Sequence, residues 1–295
     1  MYTRVYVEIT NVCNMSCSFC HGHSRAPKSM TEEEFKIVLR ELQGKTKHIY
    51  YHLMGEPLLH KDLAKFLALA KENGFRSLIT TNGTLLAKWG DELLNCGVNS
   101  TENNVRPGKK ENKLIESSVY KMNISLHSFE DQGQEYLTKY LSDVVDFVEK
   151  AKNHHIIIVL RLWNKGSENA FDQEIISFLR SRLDGEWTEN ENGFKIRNRL
   201  HISWSEPFGW PDINGEYLGD EVSCYGTRDH FGILADGTVV PCCLDSEGAI
   251  PLGNVFKEAL EDILSSPRTM SIMQGFGMRK AVEELCKRCP YARKF

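Results

Sequence analysis

Short apolar runs rich in β-branched residues recur at Val5–Ile9, His48–Leu53, Ser77–Thr80, Lys121–Leu126, Ile156–Leu162 and Leu200–Trp204. Each has the length of a buried strand. Between most of them the apolar period lengthens to that of a helix. Phe35, Val38, Leu39, Leu42 and then Leu63, Phe66, Leu67, Ala70 follow i, i+3, i+4, i+7; a third set is Leu137, Leu141, Val144, Val148 and a fourth Phe171, Ile175, Phe178. Strands alternating with helices predict βα units and a parallel sheet. Thr31 with Glu34 reads as a capping box at the first helix, and Asn73-Gly74 as the stop of the second.

Two stretches break this rhythm. Between Gly97 and Ser118 the chain is polar and aperiodic, which predicts a solvated surface insertion rather than a lid. From about Ser205 the sequence turns to Gly/Pro-punctuated turns, a hairpin over Phe231–Cys243 and short helices ending in Cys286-Lys-Arg-Cys289. The expected division is therefore residues 1–206, a βα domain, and residues 207–295, a small loop-rich domain that needs metal stapling because it cannot bury a sizeable core alone.

Polar residues collect just past the strand ends. Cys13, Cys17 and Cys20 follow the first strand, Gly55-Glu56-Pro57 the second and Thr81-Asn82-Gly83 the third. Ser125 and His127 end the fourth, Arg161 and Asn164 the fifth, and Trp204, Ser205 and Glu206 the sixth. In parallel barrels and open parallel sheets the reacting site lies at the carboxyl ends of the strands. The pattern predicts an enzyme.

Composition narrows the class. With 36 Lys+Arg against 40 Asp+Glu the net charge is −4, which argues against a phosphate-binding surface for nucleic acid. The N-terminal residues lack the basic and apolar regions of a signal peptide, and no apolar run approaches a membrane span, so a cytoplasmic protein without membrane association is expected. Nine cysteines are many for a reducing compartment, where disulfides are rare, and their spacing reads as metal or redox chemistry.

Cys13-x3-Cys17-x2-Cys20 offers three thiolates on one loop, enough to hold three irons of a [4Fe–4S] cube and leave the fourth iron open. A zinc knuckle completed by His21 or His23 is the bland alternative. CNMSCSFC resembles the CxxxCxxC signature of the radical S-adenosylmethionine (SAM) superfamily, and MGEP, TTNG and NISLHS follow in that family's order. The resemblance implies a partial (β/α)6 barrel, an open iron that chelates SAM, Phe19 near the adenine, and Gly55 and Glu56 at the methionyl amine. It puts Thr81, Asn82, Ser125 and Arg161 at the ribose and methionyl carboxylate. Cys224-x12-Gly237-x4-Cys242 with Cys286-x2-Cys289 resembles the twitch domain, the short SPASM form, which implies one auxiliary [4Fe–4S] cluster fully ligated by those four cysteines. Cys243 and Cys96 are left over, Cys96 as a small core hydrophobe.

The implied chemistry takes one electron from an external donor such as a flavodoxin, cleaves SAM to a 5′-deoxyadenosyl radical, and abstracts hydrogen from a substrate. Glu206 and His127 are the candidate proton-transfer groups, each weighed against a structural role. Tyr51, His52, Asn164, Trp204 and Trp210 are the candidate substrate contacts, with one of Tyr51 and His52 pointing inward. His154 and His155 are expected at the surface. Chain size and cluster count resemble compact twitch enzymes of small molecules, among them an aminoglycoside dehydrogenase and the queuine lyases, which cleave the side chain of a 7-deazaguanine base. Queuine lyase is the most specific expectation from that likeness, and a small polar substrate is expected between SAM and Trp204 with Glu206, a flat aromatic and a carboxylate. The rivals are a small-molecule radical dehydrogenase, a ribosomal-peptide maturase and a non-enzymatic zinc-stapled scaffold. The early first strand speaks against the peptide maturase, since it leaves no room for a leader-binding domain.

Overall fold

The computed structural model of the chain describes residues 1–97, 114–129, 134–163 and 171–293. In chain order the elements begin β1 (Arg4–Val7), α1 (Glu32–Leu42), β2 (His48–Tyr51), α2 (Leu63–Glu72), β3 (Arg76–Thr81), α3 (Leu86–Asn95) and β4 (Val119–Ser125). They continue with α4 (Gln134–Ala151), β5 (Ile157–Leu162), α5 (Asp172–Arg182), β6 (Thr188–Asn190), β7 (Gly193–Arg197) and β8 (Leu200–Trp204). The last are β9 (His230–Ile233), β10 (Thr238–Val240), β11 (Gly253–Asn254), α6 (Leu260–Ser265), α7 (Pro267–Gly277) and α8 (Glu284–Lys287). All six expected strands are present, as β1 to β5 and β8. Most of the insertion expected at 97–118, and Asn164, lie outside the described residues.

The chain forms two compact units, Met1–His60 with Pro207–Phe295, and Lys61–Glu206. In the first, β1 pairs in parallel with β2 on one side and with β9 on the other. The expected hairpin is β9–β10, antiparallel with Val239 opposite Ile233, and β11 extends it. Its turn closes on Gly237, whose φ is +86° and where a Cβ would meet the Phe256 ring at 2.5 Å. Only glycine fits there. The capping box at Thr31 and Glu34 starts α1, which buries Phe35, Val38, Leu39 and Leu42. α2 stops at Asn73 and Gly74, the latter at φ +81°.

In the second unit β3, β4, β5 and β8 pair in parallel, with Ser125 opposite Arg161 and Arg161 opposite Ser203. β7 and β6 add an antiparallel hairpin at the edge. Side chains alternate across a strand. Ile79, Met122, Ile124, Leu160, Leu162 and Ile202 share one face and are buried. The opposite face carries half-buried polar residues, among them Thr80, Asn123, Ser125 and Ser203. Helix α3 was not expected, although Leu86, Gly90, Leu93 and Leu94 carry its period; Gly90 lets it approach α4, where a Cβ would lie 2.8 Å from the Phe147 ring. His154 is buried, against the expectation of a surface position, at a point where its backbone bridges to Ile115; His155 is exposed.

Candidate functional site

The cysteine loop leaves β1 at Glu8 and is closed at its base by Asn11. The Asn11 side chain donates to the Ala26 carbonyl (2.9 Å) and accepts from Lys28 N–H (2.8 Å), while its own N–H donates to the Lys28 carbonyl (3.1 Å). Glu8 is fully buried and accepts four bonds: two from the Arg25 guanidinium (2.8 and 2.7 Å), one from Met54 N–H and one from Ala235 N–H (3.1 Å each). One carboxylate thus ties the cysteine loop, the MGEP turn and the β9–β10 hairpin together. A buried charge is tolerable only with such complete pairing. The reading of the sequence missed Glu8 and Arg25, since a glutamate in a strand carries no sign of the partners that surround it.

Gly55 sits at φ +76°, with the Thr10 carbonyl 2.2 Å from where a Cβ would stand. The MGEP turn therefore lies directly on the base of the cysteine loop, and Glu56 N–H donates to the Val12 carbonyl (2.9 Å). Glu56 is buried, and its carboxylate accepts from Leu58 N–H (3.0 Å) at the start of the turn that follows. Trp210, expected against substrate, instead serves this loop: its indole N–H donates to the Phe19 carbonyl (3.1 Å) and its ring stacks on His21 at 6.1 Å. The His23 ring meets the Asn11 carbonyl at 2.8 Å.

Tyr51 and His52 take opposite sides. Tyr51 is fully buried with its ring 6.1 Å from that of Phe35 on α1, so it belongs to the helix-facing core and not to a substrate wall. His52 joins Tyr6, at 5.0 Å, and Tyr50 on the other face.

Farther along the same unit, Cys224, Cys242, Cys286 and Cys289 act on one another. Burial is the first cause that raises each thiol above its ordinary value; Cys243, then Cys224 and Cys286, add to Cys242, Cys224 and Cys289 to Cys286, and Cys289 to Cys224. Cys13 is likewise raised, chiefly by loss of solvation and then by Glu56 and Cys20. Thiols held protonated in this way become thiolates when a cation replaces the lost water, which fits an iron–sulfur group. Cys243 also packs on the core of Tyr6, Leu53, Leu234 and Val240 and bonds to Tyr6; burial pushes its thiol up to about 11, and Cys224 adds to the rise. Among the described residues no three His, Cys, Asp or Glu side chains are arranged to hold a single metal ion.

In the unit Lys61–Glu206, Ser125 and Arg161 share a level on the polar face, and Arg161 lies over the Trp163 ring at 3.1 Å. Thr81 does not join them. It falls on the buried face opposite Ile124, and its hydroxyl accepts from Gly83 N–H (2.9 Å); Thr80, one residue earlier, takes the polar side and accepts from Asn123 (3.2 Å). A one-residue difference in register exchanges the two faces. Asn82 accepts from Thr84 N–H (3.0 Å) and hydroxyl (2.8 Å), shaping the turn. His127 is buried with Nδ1 3.1 Å from the Arg161 carbonyl and 3.3 Å from Trp163 N. Burial lowers it to about 4, which favours the neutral ring, and its contacts hold the rim of β5 in place. Trp204 sits at the level of Leu162 on the buried side, its ring 5.1 Å from Phe194 and its indole N–H donating to the Glu191 carbonyl (3.3 Å). It packs the edge hairpin and offers no stacking platform on the polar face. Glu206 is exposed beyond β8, and Cys96 is half-buried at the end of α3, donating to the Leu93 carbonyl (3.2 Å).

The radical SAM superfamily model matches residues 7–179, and an iron–sulfur cluster-binding domain model matches residues 224–290. A probable GTP 3′,8-cyclase of Methanococcus vannielii is 24% identical over 278 residues, covering 83% of this chain and 86% of that protein. Among solved structures the fold is similar to BtrN in complex with AdoMet and 2-DOIA, with a TM-score of 0.54 at 17% identity over 98% of this chain and 93% of that one. It is also similar to anSMEcpe with bound AdoMet and a peptide, with a TM-score of 0.58 at 12% identity over 98% of this chain and 86% of that one. No described helix is long and apolar enough to cross a membrane.

Proposed function

Because the chain belongs to the radical SAM superfamily, with the α/β partial-barrel fold of those enzymes and an iron–sulfur domain at its C-terminus, we propose that it abstracts hydrogen from a small polar substrate. SAM and a [4Fe–4S] cluster are its cofactors, with auxiliary iron–sulfur in the C-terminal domain. Reduced by an external one-electron donor, the cluster and SAM supply a 5′-deoxyadenosyl radical strong enough to take hydrogen from carbon.

The residues of the chain hold and orient. Cys13, Cys17 and Cys20 are the assigned ligands of the first cluster, and Glu8, Arg25, Asn11 and Gly55 fix the loop that carries them. Gly55 and Glu56 are assigned to the methionyl amine, Ser125 and Arg161 to SAM oxygens. Cys224, Cys242, Cys286 and Cys289 are assigned to a single auxiliary cluster. Cys243 is left out because its thiol faces Tyr6. Glu206 stays in this reading as the carboxylate that anchors substrate or moves a proton.

The observation that carries the proposal is the convergence of the cysteine loop, the MGEP turn and the β9–β10 hairpin on Glu8. A cysteine loop fixed at three points is a preorganised cofactor site. The 7-deazaguanine lyase is not carried forward, and the Trp204 ring expected beside a flat substrate packs on Phe194. A small substrate agrees with the nucleotide cyclase named among the relatives and with the small ligand in the BtrN structure.

The test is anaerobic reconstitution followed by reduction in the presence of SAM. The expected product is 5′-deoxyadenosine, with about eight irons per chain; Cys17→Ala should abolish the product and leave about four irons. A colourless zinc protein, or 5′-deoxyadenosine formed by Cys17→Ala, would overturn the proposal.

A further inference from the structure

The ionisable side chains that strand pairing places on the polar face of the sheet in Lys61–Glu206 are all of the basic kind. Lys121 on β4, Arg161 on β5, His201 on β8 and Lys195 on β7 fall on the same face by strand pairing: Lys121 is level with Ile157, Val159 with His201, His201 with Lys195, and Arg161 with Ser203. Consecutive levels are two residues apart, about 7 Å, so Lys121 and His201 lie one level apart in the amino-terminal halves of β4 and β8, within reach of long side chains, and Arg161 lies two levels from Lys121 toward the carboxyl ends. None of β3, β4, β5, β7 and β8 contains an Asp or a Glu.

Lys121 is the telling member. Its ammonium is half-buried, and the charge acting on it is that of Arg161, of its own sign; burial first and Arg161 second lower its basicity. Burial likewise comes first at His201, followed by Lys195 and Lys121, and lowers its basicity in turn. Cations that are partly desolvated and set beside one another cost free energy unless an anion completes them. Other partly buried cations among the described residues are paired, as Arg25 with Glu8 and Arg197 with Glu149. A like-charged face without a carboxylate focuses potential toward an incoming anion.

We infer that Lys121 and His201 bind an oxyanion group of the substrate, phosphoryl or carboxylate. The inference rests on the reading above that the chain acts on a small polar molecule, and it names the chemistry by which that molecule is held. Arg161 is kept for SAM in that reading. Of the other three, Lys195 is exposed, whereas Lys121 and His201 are partly buried and serve no other role described above.

The test is equilibrium dialysis of the reconstituted protein with labelled inorganic pyrophosphate and, separately, labelled citrate. At least one is expected to bind, and Lys121→Met should weaken that binding tenfold or more, His201→Gln severalfold. Lys121→Arg, which keeps the charge, should stay within about threefold of the parent, which separates a lost contact from a damaged fold. Pyrophosphate alone would identify a phosphoryl group and citrate alone a carboxylate. Binding of neither, or binding indifferent to Lys121→Met, would overturn the inference. Dialysis needs no turnover, so 5′-deoxyadenosine formation by the parent protein tests the radical SAM reading independently.

Discussion

Eight of the nine cysteines fall in the unit made of Met1–His60 and Pro207–Phe295, and one, Cys96, in Lys61–Glu206. The two units are held by different means. In the second, long βα segments bury one apolar face, and register alone decides which side chains remain polar and open. In the first, long loops carry the thiols, and buried polar groups replace the missing ladders: Glu8 accepts four bonds, Asn11 closes the loop, and Asp245 accepts from Ala249 and Ile250 N–H at 2.7 and 2.9 Å. Loops that must present ligands cannot hide their backbone in a sheet, so side chains do the satisfying.

The largest expected effect is at Glu8. Glu8→Ala leaves the Arg25 guanidinium without its buried partner and should cost about 3–5 kcal/mol. Denaturant midpoints measure the loss, and iron content should fall as the loop loosens. Full iron in a folded Glu8→Ala protein would break the contrast drawn between the units. In the second unit the matching experiment is Leu160→Ala, a fully buried strand residue. A loss of about 2–5 kcal/mol is expected from transfer and cavity terms, with the iron content of the folded fraction unchanged.

A smaller, pH-dependent effect belongs to His127. Its folded value near 4 lies below the ordinary 6.5, so as pH falls below 6.5 the unfolded chain takes the proton first. The stability it contributes is complete above pH 6.5 and is lost progressively down to pH 4, by roughly 3 kcal/mol at most. His127→Gln should flatten that part of the stability profile relative to the parent; an unchanged slope would show that the ring is not held neutral. Least of all, Thr31→Ala should remove the cap of α1 at a cost of about 1 kcal/mol, read from thermal unfolding, without altering either iron content or SAM cleavage.

The hairpin β6–β7 was less legible: Asn192-Gly193 reads as a turn pair, but Gly193 opens β7 opposite Asn190 and the loop is Glu191-Asn192, while Thr188–Asn190 is polar and exposed and carries no apolar alternation. Trp204 shows the opposite case. Its place at a strand end was legible, whereas its direction depends on β5 and β7, which set the face that is buried.

The sequence by itself determined the six strands, four of the helices, the caps at Thr31 and Asn73, and the cysteine sets, because period, capping and ligand spacing are local properties. Tertiary structure alone decided that Glu8 would gather Arg25, Met54 and Ala235, that Cys243 would pack against Tyr6, and that Thr80 rather than Thr81 would take the polar side. Each of these depends on contacts between segments far apart in the chain. A buried polar group is stable only where distant partners meet it, and a side chain's face is fixed only when its neighbouring strands are in register.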